Sequence, residues 1–438
     1  MSRTGDPPAG LHRIAALSAA AIAGGLIIGL AGGAFRWCLQ TAETLRVDLI
    51  EWAQRLPGPG WLIPIAVVAA CAAGAALMVR WEPLAIGSGI PHVEAVFLGQ
   101  ATLPRLRVLP ARFVGGVLAI GSGLVLGREG PTVHMGAAVG AEAARRIRLS
   151  DPEARTMQAA MGGAGLAVAF NAPLAGVLFT LEEVTKSWRA QAVLVSVLAA
   201  ATAIGSSRLL LGDQPDFQVG PVAAPEVGWL PLFLVFGACT GVLGAAYNAA
   251  VLWALDHVGR IRRMPTVATA GAIGAGVGLL LWVAPLTVGD GDTVTQMLLD
   301  GHELFLLAAA GLLAARFVTG PLCYSAAVPG GLFAPLLAVG ALWGTLFLGG
   351  FAAIWPNDTA FLALPMVLAG MTAFFGASVR APLTGIVIVI EMTATTTAAV
   401  PMLIATAAAV VTANAVGSRP IYDSLRDRMS AAPGPAQP

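Results

Sequence analysis

Long apolar segments alternate with short polar ones along the whole chain. Uncharged runs occupy residues 14–35, 56–79, 156–181, 227–255, 264–289, 317–357, 359–379 and 392–418. Most of these runs exceed the roughly 20 residues that a helix needs to cross the hydrocarbon core of a bilayer. The pattern therefore predicts an all-α membrane protein with many spans.

Glycine, proline and isolated charges interrupt the apolar runs, so continuous straight helices do not describe the chain. The clearest breaks are "IGSGIP" at 86–91, "GREGP" at 127–131 and "GGLFAP" at 330–335. Interrupted helices are tolerated in a membrane only where their freed backbone groups are buried in protein or line a wet cavity. The breaks therefore predict a functional site between helices.

The two halves of the chain resemble each other. "AFNAPLAGVLFTLEE" at 169–183 matches "SVRAPLTGIVIVIEM" at 378–392, and "GREGPTVHMG" at 127–136 matches "GLFAPLLAVG" at 331–340. We predict a single transmembrane domain over residues 1–425, with repeat halves at about 14–212 and 227–418 and a short tail at 426–438. Repeats with broken helices place a transport site where the halves meet, near the middle of the bilayer.

Composition supports this class and excludes others. Hydrophobic residues make up 57% of the chain and charged residues 11%, against about 25% charged residues in a typical soluble domain. The net charge of +1 and the absence of a charged tail give no reason to expect nucleic acid as a partner. The four cysteines lack metal-ligand spacing, and neither HExxH nor GxSxG occurs. No metal, cofactor or enzymatic activity is expected.

The charges near the ends predict the orientation. The first uncharged run, of 22 residues, is longer than the apolar region of a secretory signal, so we expect a retained first helix. Arg3 and Arg13 precede it, and Arg426 and Arg428 follow the last run. The positive-inside rule therefore places both termini in the cytoplasm.

The breaks also suggest chemistry. A helix that begins inside the membrane presents unbonded N–H groups with a partial positive charge, which favours an anion. Ser88 supplies a hydroxyl in the first break, although a serine that bonds its own backbone is an open alternative. Glu129, at the start of the second half-helix, would compete with an anion for such N–H groups until it is protonated. An ion pair with Arg128 is the alternative for Glu129, and a role in helix packing alone would leave the buried acid unexplained.

Two further acids end the run 156–181. Glu182 has a counterpart in Glu391, whereas Glu183 has none, because Met392 stands at the matching position. A position shared by both halves favours a structural role, and an unshared one favours a functional role. An ordinary interfacial position at a helix end is the alternative for both acids.

Two opposite charges, Arg112 and Glu94, lie near the broken segments. Burying either charge would be tolerable only if it is paired. The sequence leaves open whether they pair with each other.

Taken together, "GSGIP", "GREGP", "GGLFAP" and "FNAPLAG" at 170–176 resemble the CLC family of chloride channels and chloride/proton exchangers, over nearly the whole transmembrane chain. The resemblance implies an inverted repeat of tilted, broken helices. It also implies a multi-pass homodimer in a bacterial inner membrane, with one anion pathway per subunit. Few residues follow the last motif, so cytoplasmic regulatory domains are not expected.

The resemblance implies roles for individual residues. Ser88 would hold the anion through its hydroxyl, and Tyr422 would hold it from the inner side. The N–H groups of Leu332 and Phe333 would complete the site. Glu129 matches the gating glutamate of the family, which blocks the outer path when ionised and moves away when protonated or displaced by an anion.

Glu183 falls on the inner glutamate that hands protons to the cytoplasm in exchangers of this family, where channels usually carry an apolar residue. With both acids present, we predict a secondary active chloride/proton antiporter. A passive voltage- or pH-gated chloride channel is the alternative, and it would need only Glu129. Serine rather than proline at position 88 favours chloride, with bromide and nitrate also expected to permeate.

Two histidines depart from the bacterial pattern of this family: His92 stands where an acid is common and His134 where glutamine is common. A histidine near the gate would add a second pH response. Alternatively, a neutral histidine would donate one hydrogen bond in place of glutamine. Arg128 receives no predicted role.

Overall fold

The computed structural model describes residues 9–260, 265–302, 304–355 and 359–431. Arg3 and residues 432–438 of the predicted tail lie outside these ranges. Within them, the regular structure is helical, with seventeen α-helices: α1 (Ala9–Gln54), α2 (Leu62–Trp81), α3 (Ile90–Phe97), α4 (Val108–Gly121), α5 (Glu129–Arg146), α6 (Asp151–Phe170), α7 (Pro173–Phe179), α8 (Ala190–Leu211), α9 (Leu230–Arg260), α10 (Thr266–Val283), α11 (Asp292–Leu299), α12 (Leu306–Ser325), α13 (Phe333–Ile354), α14 (Ala363–Val379), α15 (Pro382–Thr393), α16 (Ala399–Ala415) and α17 (Ile421–Ala431).

Eight helical segments in the described part of the chain are long and apolar enough to cross a membrane: Arg13–Gln54, Leu62–Trp81, Ala190–Leu211, Val227–Arg260, Thr266–Val283, Leu306–Ser325, Phe333–Ile354 and Ala360–Val379. This confirms the prediction of an all-α polytopic membrane protein.

Two of the uncharged runs are not single helices. The run 156–181 divides between α6 and α7 around Asn171, because Pro173 disfavours helical backbone at the residue before it and begins a new helix. The run 317–357 divides between α12 and α13 at the glycine-rich break. The bounds of an uncharged run therefore do not give the bounds of a helix: these two runs contain a break, whereas α1 (Ala9–Gln54) extends well beyond the run 14–35.

The helices recur in the order that the sequence repeat predicts. α13 begins 204 residues after α5, and α15 and α16 begin 209 residues after α7 and α8. The helices α1–α8 thus have counterparts in α9–α16. α17 follows the second half, so the predicted tail at 426–438 begins inside this helix.

α6 and α14 are largely buried, and each is packed closely by the helix before it. Matching glycines make this possible. A Cβ at Gly136 in α5 would lie 2.1 Å from the carbonyl oxygen of Met161, and a Cβ at Gly340 in α13 would lie 2.3 Å from that of Gly370. Small residues let membrane helices approach backbone to backbone.

The halves cap each other through reciprocal hydrogen bonds. Glu182 accepts hydrogen bonds from the N–H groups of Leu383 and Thr384 at the start of α15, at 3.1 and 2.7 Å. Glu391 accepts from Leu174 and Ala175 at the start of α7, at 3.0 and 2.8 Å. Each carboxylate satisfies N–H groups that have no partner within their own helix.

This exchange of equivalent partners is what an axis that inverts one repeat onto the other produces. The shared position of Glu182 and Glu391 is therefore structural in the fold, as the repeat predicts.

Candidate functional site

Three glycine-rich breaks meet inside the protein and hold one another through backbone hydrogen bonds. The N–H and C=O groups of Gly127 and Gly331 bond reciprocally, both at 2.8 Å. The N–H of Gly87 donates to the carbonyl of Val328 at 3.1 Å, and Gly330 donates to Gly87 at 3.2 Å. Three helices, α3, α5 and α13, begin directly after these breaks. Their N-terminal N–H groups are therefore gathered in one region.

The Glu129 side chain lies at the centre of this region and is fully buried. Its Oε1 accepts a hydrogen bond from the N–H of Phe333, the first residue of α13, at 2.7 Å. A Cβ at Gly331 would lie 2.0 Å from Oε1, and a Cβ at Gly127 would lie 2.1 Å from Oε2. Both glycines are thus needed to leave room for the carboxylate. Leu332, also buried, precedes α13 as its N-cap residue.

Two buried hydroxyl groups lie in the same region as this carboxylate. Ser88, just before α3, packs against Gly130, whose Cβ would come within 2.9 Å of the serine Oγ. Tyr422 lies in the first turn of α17 and is fully buried, within electrostatic reach of Glu129. Neither hydroxyl, nor Oε2 of Glu129, has a hydrogen-bond partner among the described residues. The structure thus gathers Ser88, Glu129, the start of α13 and Tyr422.

Glu183 is buried in a π-helical turn over Thr180–Val184, and Tyr422 is close enough to feel the charges of both Glu183 and Glu129. Single π-helical turns occur frequently at functional sites. The carboxyl groups of Glu183 and Glu94 are both buried and are neighbours of each other. Glu94 also accepts a hydrogen bond from Arg426 at 3.0 Å. Sequence reasoning missed this arrangement, because Glu94 and Arg426 are 332 residues apart.

Arg112 does not pair with Glu94. Its Nε donates to Nδ1 of His134 at 3.1 Å, and Nε2 of His134 lies 3.1 Å from Nδ1 of His92. Arginine is always a donor, so His134 accepts at Nδ1 and is neutral, with its hydrogen on Nε2 directed to His92. The guanidinium also donates to three backbone carbonyls, those of Leu84, Ile86 and Gly87.

Arg128 turns away from Glu129, which excludes the ion pair considered as the alternative. Its guanidinium bonds Asp292 at 2.6 Å, Asp216 at 2.8 Å and the carbonyl of Ala169 at 2.8 Å. Arg128 therefore joins the break before α5 to the loop before α9 and to the start of α11.

Sequence reasoning also gave no role to Tyr324. This buried residue near the end of α12 accepts a hydrogen bond from the N–H of Ser88 at 3.4 Å. Its position four residues before the "VPGG" break at 328–331 was a usable signal, since a side chain so close to a break can reach the place where the breaks meet. In the described part of the chain, no group of three or more His, Cys, Asp or Glu side chains is arranged to hold a metal ion.

Known proteins share this sequence and architecture. Residues 68–414 match the family described as voltage gated chloride channel. The "H(+)/Cl(-) exchange transporter ClcA" of Vibrio cholerae serotype O1 is 37% identical over 418 residues, covering 92% of this chain and 87% of the relative. The protein of the same name in Citrobacter koseri is 36% identical, with 95% and 89% covered.

Solved structures agree with the sequence comparisons. A slow cyanobacterial Cl⁻/H⁺ antiporter superposes with a TM-score of 0.89 at 29% identity, covering 96% of this chain and 99% of that one. A CLC-type fluoride/proton antiporter shares the fold, with a TM-score of 0.78 at 20% identity and coverage of 95% and 98%. Because the family match spans most of the sequence and the curated relatives align over most of their length, this chain belongs to the voltage-gated chloride channel (CLC) family.

Proposed function

We propose that the chain is a secondary active chloride/proton antiporter in which the Glu129 carboxylate and chloride alternate at the start of α13. One observation carries this proposal. The buried carboxylate accepts the Phe333 N–H at 2.7 Å, a group that the geometry of a helix N-terminus makes suitable for an anion. A negatively charged oxygen of the protein thus stands where a transported anion would be held.

The surrounding groups are suited to a small anion. Ser88 and Tyr422 contribute hydroxyls with no protein partner among the described residues, and the N–H groups of Leu332 and Phe333 lie at the start of a helix. Partial charges of helix ends and hydroxyls attract an anion, yet they release it more readily than a full cation would. This balance suits transport rather than storage.

Protonation of Glu129 links the two ions. The ionised carboxylate competes with chloride for the Phe333 N–H, whereas the protonated form gives up most of that attraction. Chloride entry therefore favours a displaced, protonated Glu129, and chloride departure favours return of the ionised group. Each turnover carries protons in the direction opposite to chloride.

Protons reach the cytoplasmic side through Glu183 in this scheme. Glu183 and Glu94 are buried next to each other. Two neighbouring carboxyl groups repel each other when both are ionised, so the pair tends to keep one proton. Arg426 bonds both Glu94 and Asp423, at 3.0 and 2.7 Å, and the half-exposed Lys186 bonds Asp423 at 3.2 Å. This chain of polar groups connects the buried pair to water.

The remaining features of the proposal follow from the family. We propose a homodimer in the bacterial inner membrane, with one transmembrane domain per subunit and both termini in the cytoplasm. Bromide and nitrate are proposed to permeate besides chloride. The proposal assigns no enzymatic activity and no cofactor to the chain.

Transport by the purified protein in liposomes tests the proposal. Vesicles loaded with chloride are diluted into low chloride, with valinomycin and equal potassium on both sides to hold the voltage at zero. An antiporter draws protons inward as chloride leaves, even against an opposing pH gradient. Chloride efflux without proton uptake would instead identify a passive channel.

A further inference from the structure

The chain contains only three tyrosines, Tyr247, Tyr324 and Tyr422, and all three are buried. Tyr422 belongs to the anion site proposed above. Tyr324 reaches the same region from α12 and accepts the Ser88 N–H at 3.4 Å. A Cβ at Gly87 would lie 3.2 Å from its hydroxyl oxygen, so the first break leaves room for this hydroxyl.

The Tyr324 hydroxyl has a hydrogen that it can donate. A tyrosine hydroxyl both accepts and donates, and the Tyr324 oxygen donates to no acceptor among the described residues. Its ionisable neighbours include Arg112, Glu129 and Tyr422. Ser88 Oγ and Oε2 of Glu129 also lack partners there. The hydroxyl hydrogen is thus available to an anion at this place.

Arg112 holds the backbone segment before α3, which carries Ser88. Its guanidinium donates to three carbonyls of the segment before α3 and to His134. No carboxylate of the described residues forms an ion pair with it. Its positive charge is therefore not cancelled locally, and it favours negative charge beside Tyr324 and Ser88. His134 and His92 continue the network as hydrogen-bonded neutral partners.

We propose that Tyr324 is a further anion contact, a third hydroxyl donor beside Ser88 and Tyr422 that favours chloride over larger anions. The inference rests on the anion site proposed above. A hydroxyl hydrogen approaches a smaller anion more closely, and the attraction rises as the distance falls. Loss of one donor should therefore weaken chloride binding more than bromide binding.

Isothermal titration calorimetry on the detergent-purified full chain tests this inference, with isethionate as the background anion. Tyr324→Phe should raise the Kd for chloride about tenfold, the cost of one hydrogen bond to a charged group, and raise that for bromide less. Tyr247→Phe is the matched control, since its hydroxyl is also buried without a partner but lies among Phe317, Phe374 and Arg316. It should leave both Kd values within about twofold of the wild type.

The outcomes separate the two proposals. A wild-type protein that binds no chloride contradicts the anion site itself. A wild type that binds chloride, with Tyr324→Phe indistinguishable from Tyr247→Phe, overturns the role of Tyr324 alone, as does an equal loss for chloride and bromide.

A second variant replaces Tyr324 with 3-fluorotyrosine, which nearly preserves the size of the side chain and makes the hydroxyl a stronger donor. It should lower the Kd for chloride. An unchanged or higher Kd in this folded variant contradicts a donor role.

Discussion

At the scale of single residues, the central feature is the buried carboxylate of Glu129 and the groups that hold it. Glu129 is buried without a cation in contact, because Arg128 is bound to aspartates elsewhere. Its oxygens fit where Gly127 and Gly331 lack side chains. The carboxylate is thus held by a backbone N–H and by available space, both of which an anion could also use.

Gly331→Ala should disrupt this fit. The new methyl group would lie 2.0 Å from Oε1 of Glu129, so the carboxylate must leave the Phe333 N–H. We expect coupled transport in liposomes to fall by at least about tenfold, as expected for a displaced reacting group. Gly311→Ala is the control, since no atom lies within 4 Å of its added Cβ, and its rate should not change.

The same substitution in a Glu129→Ala background isolates the contact. Without the carboxylate, the nearest remaining clash of an alanine at Gly331 is with the N atom of Gly130, at 3.1 Å. Chloride flux should therefore fall much less than in the presence of Glu129. An equal fall in both backgrounds would show that the methyl group acts through another contact.

At the scale of helices, two adjacent acids have different surroundings. Glu182 caps α15 of the other half, whereas Glu183 faces inward against Glu94. The π-helical turn at Thr180–Val184 rotates the second acid out of ordinary helical register. Glu182 thus stabilises the fold, whereas the adjacent Glu183 belongs to the proposed proton path.

Glu183→Gln and Glu182→Gln should therefore give opposite phenotypes. Removing the titratable group of Glu183 should abolish proton uptake in the liposome assay while chloride still moves. Glu182→Gln keeps an oxygen that can accept one N–H from α15, and proton coupling should persist. Loss of coupling in both variants, or in Glu182→Gln alone, would contradict this separation.

Glu391→Ala should reduce stability rather than coupling. The change leaves two N–H donors at the start of α7 without their acceptor, one of them partly buried, and the net value of a hydrogen bond to a charged group is about 1.5–3 kcal/mol. Thermal unfolding in detergent measures the loss. Glu51→Ala, which removes only an exposed pair with Arg55, is the control, with an expected effect within about 0.5 kcal/mol.

At the scale of the whole molecule, charge divides the protein into two sides. α5 runs from Glu129 to a cationic end at Arg145 and Arg146. Near that end, Arg155 of α6 lies against Gly99, just beyond α3, on the side of Glu94 and Glu183. The side of Arg128 instead gathers acids, including Asp216, Asp290 and Asp292. The positive-inside rule favours a cytoplasmic Glu183 side.

Cysteine labelling tests this orientation. In a background with the four native cysteines replaced by alanine, Asp213→Cys on the acidic side should react with a membrane-impermeant maleimide in intact spheroplasts. Arg148→Cys, exposed beyond the cationic end of α5, should react only after permeabilisation. The reverse pattern would invert the proposed orientation and the sides assigned to Glu129 and Glu183.

Local sequence patterns predicted much of this molecule, and long-range contacts explain what they missed. Glycine and proline spacing located the breaks and the repeat, because those residues act on their own backbone. The partners of Glu94, Arg112 and Arg128 come from segments far away in the chain. The sequence places Tyr324 near a glycine-rich break, but only folding brings its hydroxyl to Ser88. The functional roles of Ser88, Glu129, Glu183, Leu332, Phe333 and Tyr422 stay predictions.

The most direct test of the central claim follows chloride and proton fluxes together in liposomes that contain Glu129→Ala. If the carboxylate is both the competitor of chloride and the carrier of protons, chloride should continue to move while proton movement stops. A Glu129→Ala protein that still drives protons against a gradient would contradict the account. So would a folded Glu129→Ala protein through which chloride no longer passes.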